Sequence, residues 1–141
     1  MPEVIVNLLA VFVAAIASMA VGFIWYSPML FGKPWMELMG YDPKNMEKMK
    51  KGVMKMYAMS FIGSLVMAYV LFHSYVFANA FFGIDKFTAG LMTGFWSWLG
   101  FVAPVQYTEV MFGGKSNKLF LINTGYQLVS LLIMGAIIAI M

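Results

Sequence analysis

Val4–Gly32 reads VIVNLLAVFVAAIASMAVGFIWYSPMLFG, an unbroken run without a charged side chain. A helix needs ~20 apolar residues to cross ~30 Å of hydrocarbon, and this run exceeds that length. Three further charge-free stretches follow it: Met56–Ile84, Phe87–Thr108 and Leu119–Met141. Too little sequence remains between the four to build a soluble domain. The reading is an all-α integral membrane protein, a single domain over residues 1–141, with spans at about 4–27, 54–78, 87–111 and 118–140. A cytoplasmic loop over 28–53 and two helical hairpins complete the expected four-helix bundle. Composition agrees, since 62% of residues are hydrophobic and 11% charged, where soluble domains average about a quarter charged.

The chain has no cysteine, which removes disulfides, thiolate metal sites and cysteine nucleophiles from consideration. Its net charge of +3 is made by lysines, with no arginine. They lie in short loops beside span ends, which marks them as orientation signals and argues against a nucleic-acid face. Met1-Pro2-Glu3 lacks a basic n-region and the apolar run continues to Phe31, so the first span is expected to be retained.

Lys33, Lys44, Lys48, Lys50 and Lys51 occupy the first loop, Lys55 the start of span two, and Lys115 and Lys118 the third loop. The second loop has Asp85 and Lys86, and the N-terminal tail has Glu3. This bias places loops one and three in the cytoplasm and both termini outside, in a multi-pass protein of the cytoplasmic membrane. Asp42 followed by Pro43 predicts a helix start in loop one. Met46, Met49, Val53 and Met56 share one side and Lys44, Lys48 and Lys51 another. The pattern predicts a short amphipathic interfacial helix with its lysines on anionic lipid headgroups, or one docked on the protein's own cytoplasmic end.

Small residues recur at four-residue steps: Ala10, Ala14, Ser18 and Gly22 in span one, Ser60, Ser64 and Ala68 in span two, Gly90 and Gly94 in span three. Such seams let helix backbones approach, either within the chain or in a homo-oligomer or membrane-complex partner. A faint internal repeat, Ser64–Ala68 against Ser130–Met134, fits two hairpins of equal orientation.

Polar residues inside the spans are costly unless paired or wet, and they cluster in one place. Antiparallel pairing of spans three and four brings Gln106 and Glu109 to the depth of Asn123, Tyr126 and Gln127. Pro104 frees the carbonyl of Gly100, which Gln127 could satisfy. The cluster reads as a cytoplasm-facing binding pocket, with Tyr26, Ser27 and Lys33 completing it from the end of span one. Glu109 is its carboxylate; the plainer alternative is a span-end charge pairing with Lys115 or Lys118. His73 belongs near the outer face, roughly 20 Å in depth from Glu109 at ~1.5 Å per residue, so no acid–base dyad forms. Asn7 lies at the depth of His73 and is its expected partner. The methionines are scattered, and with no cysteine and one distant histidine they do not converge on a copper site. No catalytic residue, metal ligand or cofactor is therefore assigned, and the chain is expected not to be an enzyme.

Trp25-Tyr26-Ser27-Pro28, Leu30-Phe31-Gly32-Lys33, Trp35-Met36 and Leu38-Met39-Gly40 resemble the opening of the family catalogued as domain of unknown function 1761. Leu99–Pro104 and Asn123–Ser130 resemble its later stretches in order and spacing, so the likeness covers nearly the whole chain. Gln127 departs from it, standing where histidine is expected in the family's Gly-Tyr-x-Leu pattern. The resemblance implies a small prokaryotic membrane protein and no particular reaction. Function stays open between a transport or permeation protein and a structural or accessory subunit of a membrane complex.

Overall fold

A computed structural model describes residues 4–141; Glu3, read above as an outer-side charge, lies outside the described residues. Of the described residues 83% are helical and none is in a strand. Asn7 opens α1 (Leu8–Trp25) by accepting the Ala10 N–H on its side-chain oxygen at 3.1 Å. After α2 (Gly32–Met39), a 3₁₀ turn (Pro43–Asn45) leads into the short α3 (Met46–Lys50) and the long α4 (Val53–Phe82). Asp85 caps α5 (Lys86–Ser97), which runs through a π turn (Trp98–Val102) into α6 (Ala103–Phe112). Ser116 caps α7 (Asn117–Ile140).

Three helices, α1, α4 and α7, are long and apolar enough to cross a membrane. Their outer faces carry Ile16 and Phe23 on α1, Val66, Val70 and Phe77 on α4, and Leu121 on α7, all exposed. A water-soluble protein rarely shows contiguous apolar surface on this scale, and hydrocarbon is the solvent that suits it. The chain is read as a membrane protein on that basis.

The third charge-free stretch does not form one α-helix. Pro104 has no N–H to donate and its ring crowds the carbonyl four residues earlier. The backbone widens just before it: the Ala103 N–H reaches back five residues to the Trp98 carbonyl. The proline is thus accommodated by the π turn, and not through the Gln127 amide expected from the sequence.

Helix α7 packs on α1, α4 and α5. A Cβ added at Gly90 would collide with the Gly135 carbonyl, and one at Gly94 with the Leu131 carbonyl. Backbone therefore touches backbone along α5 and α7, a separation open only to glycine. Ala10, Ala14, Ser18, Ser64 and Ala68 are buried as well, so these seam residues are covered within this chain; Ser60 is exposed. Val11, Ala14, Ala68, Leu71, Phe72, Leu131, Met134 and Ile138 form the central apolar cluster.

Loop one differs from expectation in two ways. Helix α2 was not foreseen: Gly32 lies against the Tyr26 and Ser27 carbonyls, Pro34 sits in its first turn, and Gly40 ends it at φ 75°. The amphipathic helix expected from Asp42 is shorter and broken. The Asp42 carboxylate does cap, accepting the Lys44 N–H at 2.9 Å, but a 3₁₀ turn follows, and α3 stops at Lys50. A turn at Lys51–Gly52 then hands Val53 and Met56 to α4. Lys44, Lys48 and Lys51 are exposed.

Candidate functional site

The site lies where α1 ends and α7 begins, and aromatic side chains fasten the two together. The Trp25 indole N–H donates to the Ile122 carbonyl at 2.9 Å, and the Tyr26 hydroxyl donates to Asn123 Oδ1 at 3.0 Å. From the π turn, the Trp98 indole donates to the Thr124 carbonyl at 2.9 Å and to its Oγ1 at 3.0 Å. The Tyr126 hydroxyl reaches back to the Ser18 carbonyl at 3.4 Å. Gly22 leaves room for that hydroxyl and Gly125 for the Trp25 ring, which would sit 3.2 and 3.0 Å from a Cβ at those positions. Donors that would be orphaned in hydrocarbon are all placed on carbonyl or side-chain oxygens.

Between these elements lies a cavity of about 360 Å³. Tyr26 lines it from the end of α1, Trp35 and Met39 from α2, Gln106, Glu109 and Val110 from α6, and Phe120, Asn123, Tyr126 and Gln127 from α7. Six of the eight residues expected at the pocket therefore converge: Tyr26, Gln106, Glu109, Asn123, Tyr126 and Gln127. Gln106 Oε1 is buried without a hydrogen-bond partner among the described residues. Such an acceptor costs about 1–3 kcal/mol unless something fills its vacancy.

Ser27 and Lys33 do not line the cavity. The Ser27 carbonyl accepts the Leu30 and Gly32 N–H groups at 3.1 and 3.0 Å, which makes the residue part of the turn between α1 and α2. Lys33 is exposed on the first turn of α2. Trp35 and Met39 were missed because α2 was missed. The available signal was Pro34 near a helix start with Gly40 just past its end.

His73 and Asn7 do not pair. His73 Nδ1 contacts the Tyr69 carbonyl of its own helix at 2.9 Å, while the Asn7 side-chain amide donates to the Met141 carbonyl at 3.2 Å. A larger groove of about 440 Å³ lies between α4 and α5, walled by Phe82, Met92 and Phe101. Its Ser74 and Thr93 hydroxyls are committed to carbonyls of their own helices at 3.3 and 2.7 Å. It offers apolar contact, whereas the smaller cavity offers polar atoms.

The chain matches the family described as Protein of unknown function (DUF1761) over residues 9–139, and it belongs to that family. Comparison with curated proteins and with solved structures gives no match.

Proposed function

We propose that the chain is a four-span membrane protein of the transport or permeation type, both termini outside, whose cavity opens to the cytoplasm. The fourth crossing is the continuous helical path of α5, the π turn and α6 over residues 86–112, about 40 Å at ~1.5 Å per residue. The lysine bias supplies the orientation. Lys44, Lys48 and Lys51, exposed in loop one, suit anionic headgroups on the same side. The observation that carries the transport reading is the cavity itself: a polar, carboxylate-bearing space at one end of helices whose other faces are apolar. Among the described residues it is lined by a single carboxylate and by no paired base or nucleophile, which favours binding over catalysis. The second reading, an accessory subunit, draws on the apolar α4–α5 groove as a seat for a foreign helix.

The chain's lack of cysteine makes the test direct. Asn123→Cys and Gln127→Cys are placed singly and exposed to a membrane-impermeant maleimide in vesicles of both orientations. Labelling in inside-out vesicles only is expected. Labelling from the outer side, or none in either orientation while denatured protein reacts, overturns the reading. Native mass spectrometry from native lipid adds the assembly: a homo-oligomer carrying a small molecule is expected, and stoichiometric foreign subunits would instead support the accessory reading.

A further inference from the structure

The cavity's chemistry is one-sided. Among the described residues no lysine lines it, and Glu109 contributes the only formal charge. Tyr26 packs at 5.3 Å and 63° against Trp35, and at 5.3 Å and 62° against Tyr126, so three rings meet at steep angles and form a corner. The two tyrosine hydroxyl protons are already committed, to Asn123 Oδ1 and to the Ser18 carbonyl. What the rings retain for a ligand is π-electron surface. The Gln106 acceptor stands without a partner beside them.

Each feature selects in the same direction. An anion would meet Glu109 and no cationic side chain. A small metal ion would give up hydration for one carboxylate and a few amide oxygens, which suits neither its coordination number nor its charge. A neutral apolar molecule would leave the Glu109 carboxylate at the rim without a counter-charge and bring no positive end to Gln106 Oε1. A weakly hydrated organic cation can lie against the aromatic corner while facing the carboxylate. At about 360 Å³ the space suits a small ammonium with one ring or several alkyl groups.

We infer that this cavity binds an organic monocation of the alkylammonium class, held by Tyr26, Trp35 and Tyr126 and neutralised by Glu109. The inference rests on the transport reading above and names the class of its cargo. The same chemistry is found in a soluble ammonium compound and in the choline headgroup of a lipid.

The test is calorimetric, on the full chain in nanodiscs of phosphatidylglycerol. Benzyltrimethylammonium is the probe, with the neutral N,N-dimethylbenzamide and the anionic benzoate as controls of similar size. The cation is expected to bind at least about tenfold more tightly than either control. Glu109→Gln and Trp35→Ala should each weaken it about tenfold, the order set by one ion pair or one cation–π contact at a partly desolvated site. Trp35→Phe, which keeps a ring and guards against a folding artefact, should retain affinity within about threefold. Nanodiscs containing phosphatidylcholine separate the two sources: competition with the probe marks a headgroup, and its absence marks a soluble cation. Equal binding of cation and neutral amide, or full affinity in Glu109→Gln, overturns the inference. The maleimide experiment is independent of charge, so a neutral cargo in a cytoplasm-accessible cavity would sink this inference alone.

Discussion

Gly90→Ala is the sharpest perturbation of the helix packing. A Cβ on α5 at this position would lie 2.8 Å from the Ala139 Cβ and 2.9 Å from the Gly135 carbonyl carbon, and closer still to the Gly135 oxygen. Carbon atoms in favourable contact sit about 3.5–4.0 Å apart, so α5 must retreat from α7 by roughly 0.6–1 Å. A gap of that size forfeits about a quarter to a half of the dispersion energy across the contact. Overpacking of this kind costs about 1–3 kcal/mol, and the upper half of the range applies because backbone, not a mobile side-chain tip, is in the way. Gly63→Ala is the internal control, since a Cβ there meets nothing within 4 Å. It should stabilise α4 by up to about 1 kcal/mol through helix propensity. Reversible unfolding in bicelles, followed by tryptophan fluorescence, should separate the two variants by about 3 kcal/mol with opposite signs around the unmodified chain. Equal stability of the two would refute the close α5–α7 approach, and with it the account of why glycine stands at both Gly90 and Gly135.

Two further outcomes follow from single contacts. Trp98→Phe keeps the ring but removes the donor to Thr124; it should cost about 1 kcal/mol and speed amide exchange across the π turn, read by mass spectrometry. Hydrogen bonds from Thr88, through its side chain and then its main chain, hold the Asp85 carboxyl below the usual range. Because the folded value is depressed, the cap's contribution is present above the unfolded pKa and fades as pH falls through the folded one. The protection factor of the Thr88 amide, which divides out the intrinsic slowing of exchange with falling pH, should drop on acidification, while Asp85→Asn, which still caps, should show a flat protection factor between pH 6 and acid, about 3 by the usual carboxylate range.

Helices α1, α4 and α7 were legible because each lies largely within a stretch free of charge, and length in hydrocarbon is a one-dimensional property. The interruption at Trp98–Val102 was not, although Pro104 advertised some disturbance. Hydropathy does not register whether a backbone N–H reaches back four residues or five. The cavity was legible where polar residues break apolar helices, as Gln106, Glu109, Asn123 and Gln127 do. Depth alone failed to place side chains: Ser27 and Lys33 share the level of the cavity but face elsewhere, and His73 and Asn7 point to different partners. Helix α2 was missed because eight residues are too few to show a period, and Trp35 and Met39 were lost with it.

The π turn sets the phase of everything after it. One residue more than an α-helical turn rotates the following helix by about 100° relative to an uninterrupted one. Gln106 is half-buried at the cavity and Val110 is buried, while their neighbours Val105 and Glu109 are exposed, Glu109 at the cavity's rim. Unwinding the extra residue would roll α6 so that Val105 took the place of Gln106 and Glu109 that of Val110, exchanging an amide on the wall for an aliphatic side chain and a buried aliphatic one for a carboxylate. A single residue of helical slack, held next to Pro104, thus works as a dial on the cavity's polarity.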